Sequence, residues 1–114
     1  MSYYAPDYEQ KVFYGYEVDY DDVQNLPPNI LSPLQEQNWI KRFNYFDESY
    51  WVIIGFTLKR MNTGSYSTFD QTIDLLNEPR YQRSAEKLED IMRIAFPKYQ
   101  RNAKPRFFYG CEVS

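Results

Sequence analysis

Apolar and polar residues alternate in three stretches of the chain, and each carries glycine at the same step of the alternation. They are VFYGYEV at 12–18, VIIGFTL at 52–58 and FFYGCEV at 107–113. A two-residue period marks a strand whose faces meet different surroundings. One face collects Val12, Tyr14, Tyr16 and Val18, then Val52, Ile54, Phe56 and Leu58, then Phe107, Tyr109, Cys111 and Val113. This Val/Tyr/Ile/Leu set is the expected core face. The other face collects Phe13, Gly15 and Glu17, then Ile53, Gly55 and Thr57, then Phe108, Gly110 and Glu112. A glycine within a strand costs about 0.5–1 kcal/mol relative to alanine, so three cost about 2 kcal/mol. A bulge, or close approach of another backbone, ring or ligand, is expected to offset that. The spacings between the glycines, 40 and 55 residues, are unequal, so this is no solenoid repeat. Three strands of one sheet share one environment.

Helical spacing appears elsewhere. Pro79 stands where a helix can open, and Tyr81, Ala85, Leu88, Ile91, Met92 and Ala95 then form an apolar stripe that Pro97 stops. Ser32-Pro-Leu-Gln35 reads as a capping box with Pro33 at the first helical position, and Ser67…Asp70 reads as another, followed by Phe69, Ile73 and Leu76. DYDDVQNLPPN (19–29) reads as an acidic loop ended by Pro27-Pro28, and 61–66 as a turn. WIKRFNYF (39–46) can close a short helix or, since it also alternates, pair with the strand at 50–60 across Asp47-Glu-Ser49. KYQRNAKPR (98–106) is a basic connection into the last strand. Together these predict an α+β fold: a small, mainly antiparallel sheet of three or four strands with two or three helices packed on one face. A flexible Tyr-rich tail is expected over 1–10, ahead of a single domain over 11–114.

Composition narrows the function classes. The 114 residues contain no histidine and one cysteine, Cys111. Ser-His and Cys-His nucleophile pairs and His-containing zinc sites are therefore excluded, and no intramolecular disulfide can form. Cys111 falls on the expected core face, where a thiol is inert. Neither a cofactor nor a metal is expected. The opening MSYYAPDYEQ has no basic start or apolar run, and the longest apolar stretch, 51–56, is too short to span a bilayer. With the lone cysteine, this points to a cytoplasmic protein. Twelve tyrosines and eight phenylalanines make the chain rich in rings that serve cores and binding faces alike.

The net charge is −3, unevenly spread. Residues 1–50 hold nine acids and three bases, whereas 51–114 hold seven acids and ten bases. Three readings follow. In the first, the protein is not an enzyme and binds a larger protein, as accessory or inhibitor proteins of this size do; virus-encoded inhibitors of host defence are one such class. The binding face would then carry Phe13, Ile53 and Phe108 over a glycine floor, with Glu17, Asp19, Asp21, Asp22 and Glu112 as an acidic rim. The alternative for that face is cover by a helix. In the second reading, Lys98, Tyr99, Arg101, Lys104 and Arg106, with Lys59 and Arg60, contact nucleic acid while Phe13 and Phe108 stack bases. In the third, Glu17 and Glu112 sit close enough to share a proton and serve a small ligand or acid–base chemistry. The stretch 62–68 offers a glycine and hydroxyls to an anion but lacks the phosphate-loop spacing. Strands near both termini also allow a homodimer whose sheets join edge to edge.

Overall fold

The structure is a computed structural model that describes residues 10–44, 50–61 and 74–112. Strand β1 runs Gln10–Glu17, β2 Ile40–Asn44, β3 Tyr50–Met61 and β4 Arg106–Glu112. All pairings are antiparallel, in the order β1-β3-β2-β4, and β4 returns to β1 to close a barrel. The fold is α+β as expected, and the alternating segment at 39–46 resolves in favour of a strand.

Closure depends on β3, which is long enough to pair with β1 along one part and β2 along the other. Between Val12 and Phe13 the β1–β3 register slips: Val12 faces Lys59 while Phe13 faces Thr57, leaving Leu58 as the extra residue. A bulge bends the strand that holds it and increases its twist, which a small sheet needs to curl on itself. Gly15 and Gly55 stand directly opposite each other farther along. A Cβ added to Gly15 would lie 2.7 Å from Gly55 Cα, and one added to Gly55 would lie 2.8 Å from Gly15 Cα. Two strands pass too closely there for any side chain. Gly110 is conserved in slot but not in cause: a Cβ on it would lie 2.6 Å from Cδ2 of the Phe43 ring. The expectation of one shared environment therefore holds for two glycines and fails for the third.

Four helices are delimited among the described residues: α1 (Tyr20–Gln24), α2 (Pro28–Glu36), α3 (Pro79–Ala95) and α4 (Pro97–Asn102). Four readings of the sequence need correction. Pro27-Pro28 does not merely end a loop; Pro28 opens α2, where proline loses no hydrogen bond. Pro33 consequently lies inside that helix rather than at its start. The stretch 19–29 is not loop throughout, and Pro97 both follows α3 and opens α4, so 98–106 is a helix before it is a connection. Asn38, with φ of 59°, ends α2: its N–H donates to Gln35 O, and the Trp39 N–H donates to Leu34 O. This double bond to the last turn is a Schellman stop, and it delivers Trp39 into the core.

The α3 stripe packs as its spacing predicts. Leu88 and Met92 are fully buried against Tyr16, Val18, Val52, Ile54 and Trp39, with Val23, Leu34 and Phe96 completing the cluster. The opposite strand face is turned into the barrel. Phe13, Phe43, Ile53 and Phe108 fill it, with Trp51 packed against them. The face with the glycines is thus neither an open patch nor covered by a helix; the sheet covers it by closing. Cys111 is only half-buried, so its thiol is outside the core where the alternation had placed it. The tail at 1–9, the turns at 47–49 and 62–66, the cap at 67–70 and the anion-binding stretch at 62–68 lie outside the described residues.

Candidate interaction surface

The face that carries the glycines is apolar in its middle and charged at both ends. Phe13 stacks on Phe43 at 5.5 Å between ring centroids, and Phe108 meets Phe43 at 5.9 Å. At one end Lys11 Nζ donates to Glu112 at 2.6 Å, and Lys41 Nζ stands 3.7 Å from the other carboxylate oxygen. Burial opposes ionisation of Glu112, but the Lys11 hydrogen bond and the charges of Lys41 and Lys11 outweigh it. The carboxyl is held below its ordinary value. At the other end Arg106 donates to Glu17 at 2.8 Å, and its guanidinium lies 5.1 Å from the Phe108 ring centroid.

This geometry relocates the expected binding residues. Phe13 and Ile53 are 0% exposed and Phe108 is 8% exposed, so all three are interior packing residues rather than a docking row. Glu17 and Glu112 do not adjoin. Antiparallel pairing sets Gln10 beside Cys111 and Gly15 beside Arg106, which puts the two glutamates at opposite ends of β1. Six residues of strand, about 20 Å, separate Glu17 from the Lys11 that holds Glu112. The shared-proton arrangement is absent, and each carboxylate has its own cations.

Two members of the basic stretch have partners within the chain. Tyr99 turns toward α1, where its hydroxyl donates to Asp22 at 2.5 Å and accepts the Asp19 N–H at 3.1 Å. Burial, then the bond to Asp22, pushes the Tyr99 hydroxyl up to about 12. Tyr99 packs edge-on against Phe96 and ties the acidic α1 to the basic α4; it does not present a face for stacking. Lys98, Arg101 and Lys104 are exposed, Lys59 is half-buried opposite Val12, Arg60 lies opposite Lys11, and Arg106 is engaged by Glu17. Of the expected nucleic-acid residues, Tyr99 and Arg106 are thus engaged within the chain.

The structure instead gathers residues around Trp51. A cleft of about 410 Å³ is lined by Phe43, Trp51, Arg106, Phe107, Phe108 and Tyr109. A second cleft of about 370 Å³, which Trp51 also lines, is bounded by Glu17, Val18, Asp19, Tyr20, Arg42 and Val52. Arg42 lies over the Tyr20 ring, 5.0 Å from its centroid. Tyr20 and Tyr109 are 43% and 42% exposed. Of this set, Glu17, Asp19, Arg106 and Phe108 were legible as candidates. Tyr20, Arg42, Trp51 and Tyr109 were not, because cross-strand register brings them together. The available signal was the parity of Trp51, which shares the Ile53 and Gly55 face.

No protein-family model, curated protein or solved structure matches the chain. Among the described residues, no helix is long and apolar enough to cross a membrane.

Proposed function

We propose that the protein acts by binding a larger protein and occupying its surface, with no chemistry of its own. The observation that carries this reading is the pair of clefts meeting at Trp51, rimmed by Tyr20, Arg42, Arg106 and Tyr109. Tryptophan, tyrosine and arginine are the side chains that concentrate binding energy at protein interfaces, through large rigid contact and multiple donors. The binding surface in this reading is therefore the Trp51 region, which Phe108 borders, and not the buried Phe13 and Ile53. Accessory or inhibitor action in the cytoplasm, as in virus-encoded inhibitors of host defence, is the proposed biological class.

The test is affinity capture from native cell extract with tagged wild type and a Tyr109→Ala variant, each with and without nuclease. The reading expects a stoichiometric protein that survives nuclease and is lost with Tyr109→Ala. Capture that disappears with nuclease would replace the reading with a nucleic-acid-associated one.

A further inference from the structure

We infer that the outer face of α4, with the segment after it, is a second surface that holds the phosphate backbone of nucleic acid through Lys98, Arg101 and Lys104. This surface lines neither Trp51 cleft. Between Ile91 and Cys111 the chain holds five bases and no acid. Two of the five are balanced within the chain: Arg93 pairs with Asp90 at 2.8 Å and Arg106 with Glu17 at 2.8 Å. Lys98, Arg101 and Lys104 are exposed and form no ion pair among the described residues. Their positive charge is therefore in surplus.

The helix turns that charge outward. At about 100° per residue, Tyr99 and Gln100 lie on one side of α4, and Lys98 and Arg101 lie on the other. The inward pair reaches two acids: Tyr99 donates to Asp22, and Gln100 Nε2 donates to Glu89 at 3.3 Å. The outward pair, three residues apart, stands side by side on a helix that carries no acid of its own. Arg101 Nε donates to the Pro97 carbonyl at 3.3 Å, which holds the stem and leaves the terminal guanidinium nitrogens without a partner among the described residues. Composition then separates nucleic acid from an acidic protein. The exposed residues here are Pro97, Lys98, Arg101, Asn102, Ala103 and Lys104, with no large apolar or aromatic side chain among them. A protein partner draws most of its binding energy from such anchors. A phosphate backbone needs none, because lysine, arginine and asparagine grip it by charge and hydrogen bonding and release its counterions.

The experiment measures binding of fluorescein-labelled oligo-dT to the full chain by fluorescence anisotropy over a series of salt concentrations, with labelled polyglutamate as the second probe. Three phosphate contacts to a single strand give a slope of about −2 in log affinity against log salt, which is about a fourfold loss for each doubling of salt. Lys98→Gln, Arg101→Gln and Lys104→Gln should each make that slope shallower by about 0.7, and the triple variant should lose binding. Arg83→Gln removes an exposed base from α3 and should leave the slope unchanged. Amide NMR spectra verify that the variants stay folded, and those of the wild type should shift with oligo-dT over residues 97–104. Absence of oligo-dT binding, polyglutamate bound as tightly as oligo-dT, an effect of Arg83→Gln equal to that of Lys98→Gln, or shifts confined to other residues would overturn the inference. Tyr109→Ala, which tests the Trp51 surface, should bind oligo-dT as wild type does. Loss of oligo-dT with that variant would move the contact to the Trp51 cleft and overturn the inference as well.

Discussion

Gly110→Ala should destabilise the protein, although alanine is ordinarily the better residue within a strand. Its backbone does not adopt the left-handed region, so nothing in its conformation demands glycine. What demands it is the Phe43 ring, whose Cδ2, Cγ and Cβ would lie 2.6, 3.2 and 3.3 Å from the new methyl. Phe43 is 1% exposed and held between the Phe13 and Phe108 rings, so it cannot swing aside at little cost. Forcing a methyl into a filled core costs about 1–3 kcal/mol. Relief of glycine's entropic penalty returns about 0.5–1 kcal/mol. The net loss is about 1 kcal/mol, and at most about 2.5 kcal/mol. Urea unfolding followed by tryptophan fluorescence reads it as a lower midpoint at unchanged slope. A double-mutant cycle with Phe43→Leu isolates the cause. The smaller side chain gives the methyl room, so the double mutant should be more stable than the sum of the single losses by about 1 kcal/mol. A Gly110→Ala protein at least as stable as wild type, or strictly additive losses, would refute the packing argument.

Other outcomes follow from the same geometry. Phe108→Asp should abolish cooperative unfolding and amide-signal dispersion rather than act as a surface change, because Phe108→Ala alone would remove about 3–5 kcal/mol of buried contact. Glu112→Gln should leave Lys11 and the 7%-exposed Lys41 without their shared carboxylate. Because the folded carboxyl titrates below its ordinary value of 4.5, the advantage of wild type over this variant is full above that pH. It should shrink as pH falls through the lowered folded value, measured by urea titrations from pH 7 to 3. Tyr99→Phe loses the bonds to Asp22 and the Asp19 N–H and should cost about 1 kcal/mol near neutrality. The folded hydroxyl is raised from 10.0 to about 12, so that difference should persist to pH 10 and fade between 10 and 12 in thermal melts.

Periodicity along the chain was enough for the parts that depend on neighbours in sequence. Alternation marked β1, β3 and β4, and the 3.6-residue stripe from Tyr81 to Ala95, bounded by Pro79 and Pro97, marked α3. The α3 stripe survives because one face of that helix is buried and the other is exposed; in β1 and β3 both faces are buried, and the alternation survives because the two faces meet different core clusters. Pro28 and Pro33 misled because proline suits the first turn of a helix wherever that turn begins, and only the chain path chose between them. The three glycine slots were legible, but their causes were not. Gly15 and Gly55 answer to each other's backbone, and Gly110 answers to a ring from a different strand.

The candidate site depended still more on tertiary structure. Alternation divides residues into two faces without saying which face meets solvent. A flat sheet would have exposed Phe13, Ile53 and Phe108; the Leu58 bulge and the Gly15–Gly55 contact curl the sheet until β4 reaches both β1 and β2, and the same residues become interior. That closure also separates Glu17 from Glu112, gives each its own cations, and brings Trp51 between Tyr20, Arg42, Arg106 and Tyr109. These neighbours come from distant parts of the chain. Local patterning determined which segments are strands and helices; long-range register decided which of their side chains a partner can touch.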